Sequence, residues 1–416
     1  MRPLIWLLLF LGGCYGTSSY EKGLVYIQIQ DRNGLSETIG EKEKLKKFER
    51  ADFLSSQPYQ KVVRVYKNEG ITYSTLTSYH KNGAIWQLLE GKEMRASGSY
   101  REWFPNGLLK IEATVIGGTA DLTPSAQSSW LFDGENRVYN EEGALLASIS
   151  YQMGVLEGKS TFYYPSGAIE KETLFHKDLA EGESVEYWEN GTLQAKNMYE
   201  KGLRNGPSVQ FFQDGTPMGK ETWERGLLIE ALYTSIDGRP LAQVEKGMGM
   251  RALFIEGRLY RLVEVKKGIP EGEVRQFTSN GSLESKWRER QGKKEGEETV
   301  YFEEEMKPKI SIHWENGQIH GLVQTWYPNG KFESRREFSK NEKMGTSTGW
   351  YADGNLMLVE EYDQGDLVSG LYYKKGESHP ISTVVKGNGT ALIYDKSGVF
   401  LKKVIYQNGK PNRDET

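Results

Sequence analysis

A glycine, four residues, two aromatic residues, two further residues and a second glycine recur along this chain at a spacing of 24. The motif is Gly98 with Trp103-Phe104 and Gly107, Gly158 with Tyr163-Tyr164 and Gly167, Gly182 with Tyr187-Trp188 and Gly191, and Gly206 with Phe211-Phe212 and Gly215. After a gap it returns as Gly272 with Phe277 and Gly281, Gly321 with Trp326-Tyr327 and Gly330, and Gly345 with Trp350-Tyr351 and Gly354. A fixed period of this length marks a repeat architecture in which each unit packs on its neighbours. The 416 residues therefore need not divide into separate globular domains.

Asn or Asp precedes the second glycine in Asn106-Gly107, Asn190-Gly191, Asp214-Gly215, Asn280-Gly281, Asn329-Gly330 and Asp353-Gly354, the signature of a hairpin turn. Proline stands one residue earlier in Phe104-Pro105-Asn106-Gly107 and Tyr327-Pro328-Asn329-Gly330, where its fixed φ suits the second position of a type I turn. The glycine then takes the left-handed position of a three-residue loop with a G1 bulge. Strands follow, such as Lys331 to Phe338, and further glycines at Gly154, Gly202, Gly268, Gly292 and Gly317 mark links between units. A lone hairpin is marginal in water, so the units must stack. The expected fold is all-β, an elongated solenoid-like meander of β-hairpin repeats of about 24 residues. With 47 Gly, 24 Tyr and 10 Trp, the composition serves turns and aromatic packing.

Copies such as Glu186-Tyr187-Trp188-Glu189-Asn190-Gly191-Thr192-Leu193 and Trp326-Tyr327-Pro328-Asn329-Gly330-Lys331-Phe332 resemble the bacterial variant of MORN repeats. The resemblance runs over roughly residues 79 to 410. It implies a membrane-associated scaffold; some bacterial members are labelled antitoxins, a role that requires a cytoplasmic pool.

The first residues point to export. Arg2 supplies a positive start and Leu4 to Leu11 a short apolar run, well below the roughly 20 residues that span a bilayer. Leu11-Gly12-Gly13-Cys14 then resembles the lipobox of bacterial lipoproteins, which makes Cys14 the expected lipidation site. An ordinary secretory signal with a coincidental cysteine is the alternative. Lipid chains would tether the protein to a membrane, and Tyr15, where an Asp would resemble an inner-membrane retention signal, favours the outer membrane if the organism has one. The expected organisation is a signal peptide over 1–13, an N-terminal capping segment over 14–78 and the repeat array over 79–416. Within the cap, Lys44 to Leu54 reads as a short charged helix and Lys61 to Tyr66 as a strand. Two stretches break the rhythm: a loop excursion over Ala120 to Ser129, and degenerate units between Gly215 and Gly281.

A formal charge of −4 gives no polycationic footprint, so nucleic acid is not an expected partner. Gly154-Val155-Leu156-Glu157-Gly158-Lys159-Ser160 is one residue short of a phosphate-binding loop, and its glycines are those of the repeat. Cys14 is the single cysteine and His80, His176, His313, His320 and His379 show no ligand spacing, so no metal or cofactor is expected. Acidic runs at Glu295 to Glu298 and Glu303 to Glu305 read as a solvated face. The aromatic pairs carry more weight, because neighbours on a strand point to opposite faces. The coherent outward set is Trp103, Tyr187, Phe211, Trp326 and Trp350. These observations lead to a non-enzymatic, membrane-tethered interaction scaffold of the bacterial cell envelope that binds a protein or glycan through this ladder. An envelope glycan or peptidoglycan hydrolase with converging carboxylates and an antitoxin-like binding protein are the alternatives.

Overall fold

A computed structural model describes residues 23–303 and 306–412; the signal segment, Cys14, Glu304 and Glu305 lie outside the described residues. The chain is all-β. Among the described residues the helices are two single turns, Lys42–Leu45 and Pro124–Gln127, and none is long and apolar enough to cross a membrane. The chain divides into two compact units: an N-terminal one running to Thr192 together with Tyr199–Gly202, and a C-terminal one of Leu193–Met198 and Leu203–Thr416.

In the C-terminal unit, strand Gln318–Trp326 pairs antiparallel with Phe332–Ser339, which pairs with Glu342–Trp350, which pairs with Leu356–Asp363. The N-terminal unit follows the same meander from Lys61–Asn68 through Ile71–Tyr79, Ile85–Lys92 and Arg95–Trp103 to Leu109–Gly117. Its first strands depart from chain order. Leu24–Gln30 inserts between Ser36–Ile39 and Lys61–Asn68, so that residues read as a cap add strands to the sheet. Helix forms only over Lys42–Leu45; the rest of the stretch expected to be helical turns back to bury Phe53 beside Leu45.

Two kinds of turn alternate. At one end of each hairpin lies the loop of the aromatic motif: the Phe104 N–H donates to the Leu108 carbonyl, and the N–H of Gly107, at φ +87°, donates to the Phe104 carbonyl, both at 2.9 Å. That is a type I turn closed by a G1 bulge. At the other end, the segments read as links are hairpin turns themselves. Asn316 and Gly317 have φ of +52° and +80°, and Arg225 and Gly226 +48° and +82°, the all-left-handed pair of a two-residue type I′ turn.

Side chains then fasten each hairpin to the next. On the aromatic side, the Asn82 amide donates to the Pro105 carbonyl and the Asn329 amide to the Ala352 carbonyl, both at 2.9 Å and 23 residues on. The Tyr164 hydroxyl likewise donates to the Tyr187 carbonyl, and that of Tyr327 to Trp350. On the opposite side, the turn N–H of Gly202 donates to the Ala180 carbonyl and that of Gly226 to Arg204. A carboxylate or amide completes this side: Glu181 accepts the Lys201 N–H, Asn205 the Arg225 N–H and Glu295 the Asn316 N–H. The left-handed turn leaves that N–H pointing out of the ladder, and an unmet donor there would carry a cost of about 1–3 kcal/mol if buried.

The cores are local. One cluster gathers Ile27, Leu45, Phe53, Val62 and Tyr79, the next Leu89, Tyr100, Val115, Leu122 and Trp130. In the C-terminal unit Trp223, Leu228, Tyr233 and Val265 pack together, as do Tyr362, Leu367, Tyr372 and Val384. This is the nearest-neighbour burial of a repeat protein.

Candidate binding surface

The second aromatic of a pair opens the turn; Tyr327, Tyr351 and Phe212 are buried there, whereas Phe104, Tyr164, Trp188 and Phe302 are half-buried. The first aromatic ends the strand and lies on the other face, as alternation requires. In the C-terminal unit this register builds a continuous strip. Trp326 stands opposite Phe332 across the hairpin, with ring centroids 5.4 Å apart, and Phe332 meets Trp350 of the following hairpin at 5.8 Å. Both tryptophans are half-buried, whereas Phe332 is 41% exposed. The strip thus combines rings held by their neighbours with open area.

A groove of about 680 Å³ adjoins it, with Tyr301 and Trp326 at one end and Thr299, Ser311 and Gln324 along its floor. Across from these stand Lys286 and Arg288, both exposed and without an ion pair among the described residues. Of its acids, Glu273 holds Arg275 at 2.5 Å, while Glu297 is exposed and accepts the Ser311 hydroxyl at 2.8 Å. Rings, neutral hydrogen-bonding groups and charges of both signs thus line the groove, a mixture typical of interaction surfaces.

The other expected positions fall elsewhere. Trp103 packs against the N-terminal core cluster while its carbonyl accepts the His80 ring at 2.8 Å. Tyr187 is half-buried in the N-terminal unit, where its carbonyl receives the Tyr164 hydroxyl, and Phe211 is half-buried in the C-terminal unit opposite Pro217. Of the five, Trp326 and Trp350 are brought together. Phe332 and Tyr301 complete the surface and were missed; their signal is the aromatic two positions after the turn glycine and the aromatic pair retained by the unit that lacks that glycine.

Of the acidic run expected as a solvated face, Glu297 is exposed, but Glu295 and Glu298 are engaged. Besides the role of Glu295, the buried Glu298 carboxylate lies 2.5 Å from Lys294 and accepts the Trp314 indole N–H at 2.8 Å, with Lys294 seated between the Trp287 and Trp314 rings. Glu221 repeats the device. Its side chain is fully buried and accepts from Tyr233, Trp223, Arg204 and Arg251 at 2.5 to 3.1 Å. Burial pushes its carboxyl upward, but Arg251, Tyr233, Arg204 and Trp223 outweigh that and hold it below the usual range. Glu360, held by Tyr362 and Tyr372, and Glu102, held by Tyr100 and Lys110, do the same in their own hairpins. These carboxylates knit the sheet; none lines the groove beside Trp326.

Three segments match a family model described as the MORN repeat variant: residues 156–177, 180–201 and 319–340. Each spans one strand, its aromatic turn and the returning strand. No curated protein matches the chain. Repeats of this kind point to a binding or scaffolding role built on repetition.

Proposed function

We propose that this chain, with its MORN-variant hairpins, is a non-enzymatic interaction scaffold of the bacterial cell envelope, tethered by lipid at Cys14. The observation that carries the binding reading is the strip Trp326–Phe332–Trp350: three rings in contact and partly open, on hairpins whose other aromatics are consumed by packing. Interfaces draw most of their energy from a few such rings, flanked by polar groups like those of the adjoining groove. The tether rests on the sequence Leu11-Gly12-Gly13-Cys14 and the absence of any second cysteine. A hydrolase needs two carboxylates converging on one bond. The buried acids Glu102, Glu221, Glu298 and Glu360 instead sit on separate strands, each engaged by its own ring and, for the first three, its own cation. The test is affinity enrichment from intact cells followed by binding of the enriched partner to wild type, Trp326→Ala and Trp350→Ala. Loss of binding with an unchanged circular dichroism spectrum supports the reading; unaltered binding by both variants removes it.

A further inference from the structure

The twelve or so residues that lengthen one repeat fold back over the N-terminal unit and make a second site. The excursion buries Leu122, Ala126 and Trp130, the last with its ring 4.8 Å from Tyr100 and its indole N–H on the Thr119 carbonyl. Asp121 then reaches Lys61 on the sheet at 2.9 Å and fixes the loop as a wall. Between this wall and the sheet lies a groove of about 760 Å³, inside the size range of small-ligand sites.

The opposite wall is a ring platform. Tyr79 pairs with Ile85 and Ser78 with Gln87, so Trp86 is the extra residue of a β-bulge, a device that re-aims a side chain. Its indole is 42% exposed and stacks on His80 at 5.5 Å, which is held in turn by the Trp103 carbonyl. The floor is made of amides. Buried Gln87 is oriented by Ser78 and Tyr100, both at 3.1 Å, while the side chains of Gln30 and Gln60 make no hydrogen bond within the described residues.

From this arrangement we infer that the N-terminal groove binds a short oligosaccharide. Of the charged groups at the site, Lys61 is paired with Asp121, Arg32 donates to the His80 carbonyl at 2.9 Å, and Lys81 is exposed. Gln30, Gln60, Gln87 and Ser78 supply amide and hydroxyl donors and acceptors around an exposed indole face, the complement of a sugar ring with apolar C–H faces and a hydroxyl rim. A peptide fits less well. Strands Lys61–Asn68, Ile71–Tyr79 and Ile85–Lys92 are each paired on both sides, so no backbone edge is open for strand addition.

The test titrates the whole purified chain with chitotriose, cellotriose and maltotriose, followed by tryptophan fluorescence and calorimetry, alongside an acidic and a neutral peptide of similar length. At least one trisaccharide should bind, with affinity reduced tenfold or more in Trp86→Ala, severalfold in the Gln30→Ala/Gln60→Ala double variant, and retained in Trp86→Tyr. Trp326→Ala should leave it unchanged, which separates this site from the strip in the C-terminal unit. Absence of binding by all three sugars, binding indifferent to Trp86→Ala, or Trp86-dependent binding of a peptide alone would each overturn the inference.

Discussion

The hydroxyl of Tyr327 donates to the backbone carbonyl of Trp350, 2.8 Å away and 23 residues later. The ring that opens one turn therefore holds the strand end carrying the outward tryptophan of the next hairpin. The same relationship joins Tyr164 to Tyr187, Tyr351 to Tyr373 and His80 to Trp103. Packing and presentation are thus one device: the inward register sets the position of the outward one.

Removing single clamps should loosen hairpins by the worth of a hydrogen bond. Tyr327→Phe and Tyr351→Phe are each expected to lower stability by about 1 kcal/mol. The larger effect belongs to Tyr351, which is fully buried and leaves the Tyr373 carbonyl unmet. Urea unfolding midpoints measure this; absent effects would show that the hydroxyls contribute nothing beyond their rings, and equal effects would contradict the ranking.

Glu221 predicts a pH dependence. Its folded pKa is depressed, so its contribution is complete above the ordinary carboxyl pKa of about 4.3 and is lost as pH falls through the depressed folded value. Glu221→Gln should abolish that part of the acid loss. At neutral pH it should also be destabilising by about 3 kcal/mol or more, because Arg204 and Arg251 lose their shared partner. Stability curves of both proteins from pH 7 to pH 3 test it; parallel curves would contradict the assignment.

Individual turn glycines differ in their tolerance of a side chain. At Gly281, φ +87°, a Cβ meets nothing within 4 Å, so Gly281→Ala carries the left-handed strain alone, about 1–2 kcal/mol. At Gly268, φ +79°, a Cβ would come 2.8 Å from the Leu227 Cβ and 3.3 Å from backbone. Gly268→Ala should therefore lower the melting temperature by clearly more than Gly281→Ala, and the reverse order would contradict the close packing of the Gly268 turn on Leu227.

The tether is tested by Cys14→Ala. The variant should move from the membrane to the soluble fraction or remain unprocessed, and membrane retention of a normally processed variant would defeat lipidation at this position.

Much of this fold was legible because its rules are local. Asn-Gly after an aromatic pair specifies the loop within five residues, as Phe104 to Leu108 illustrate, and the spacing carries it from unit to unit. The clamps were not legible for the converse reason. Glu157, Glu181 and Glu295 each precede a glycine, yet what they accept is a backbone N–H twenty or twenty-one residues further on, so they read as ordinary surface acids. Glu298 was misjudged because alternation along one strand says nothing of Lys294 and Trp314, which make its burial tolerable. Alternation did identify Trp326 and Trp350 as one register. It gave no hint that Trp103, in the same register, has the N-terminal core packed against it.

The claim at the centre is that the strip Trp326–Phe332–Trp350 meets a partner in the cell. A photo-crosslinking amino acid at Phe332, the most open of its rings, tests this directly when compared with the same group at Lys340, an exposed turn position of the same hairpin. Irradiation of intact cells should give a discrete crosslinked species from position 332, absent from position 340 and lost when Trp326→Ala and Trp350→Ala are added. Crosslinking equal at both positions, or none at position 332 in a folded and correctly localised protein, would contradict the account.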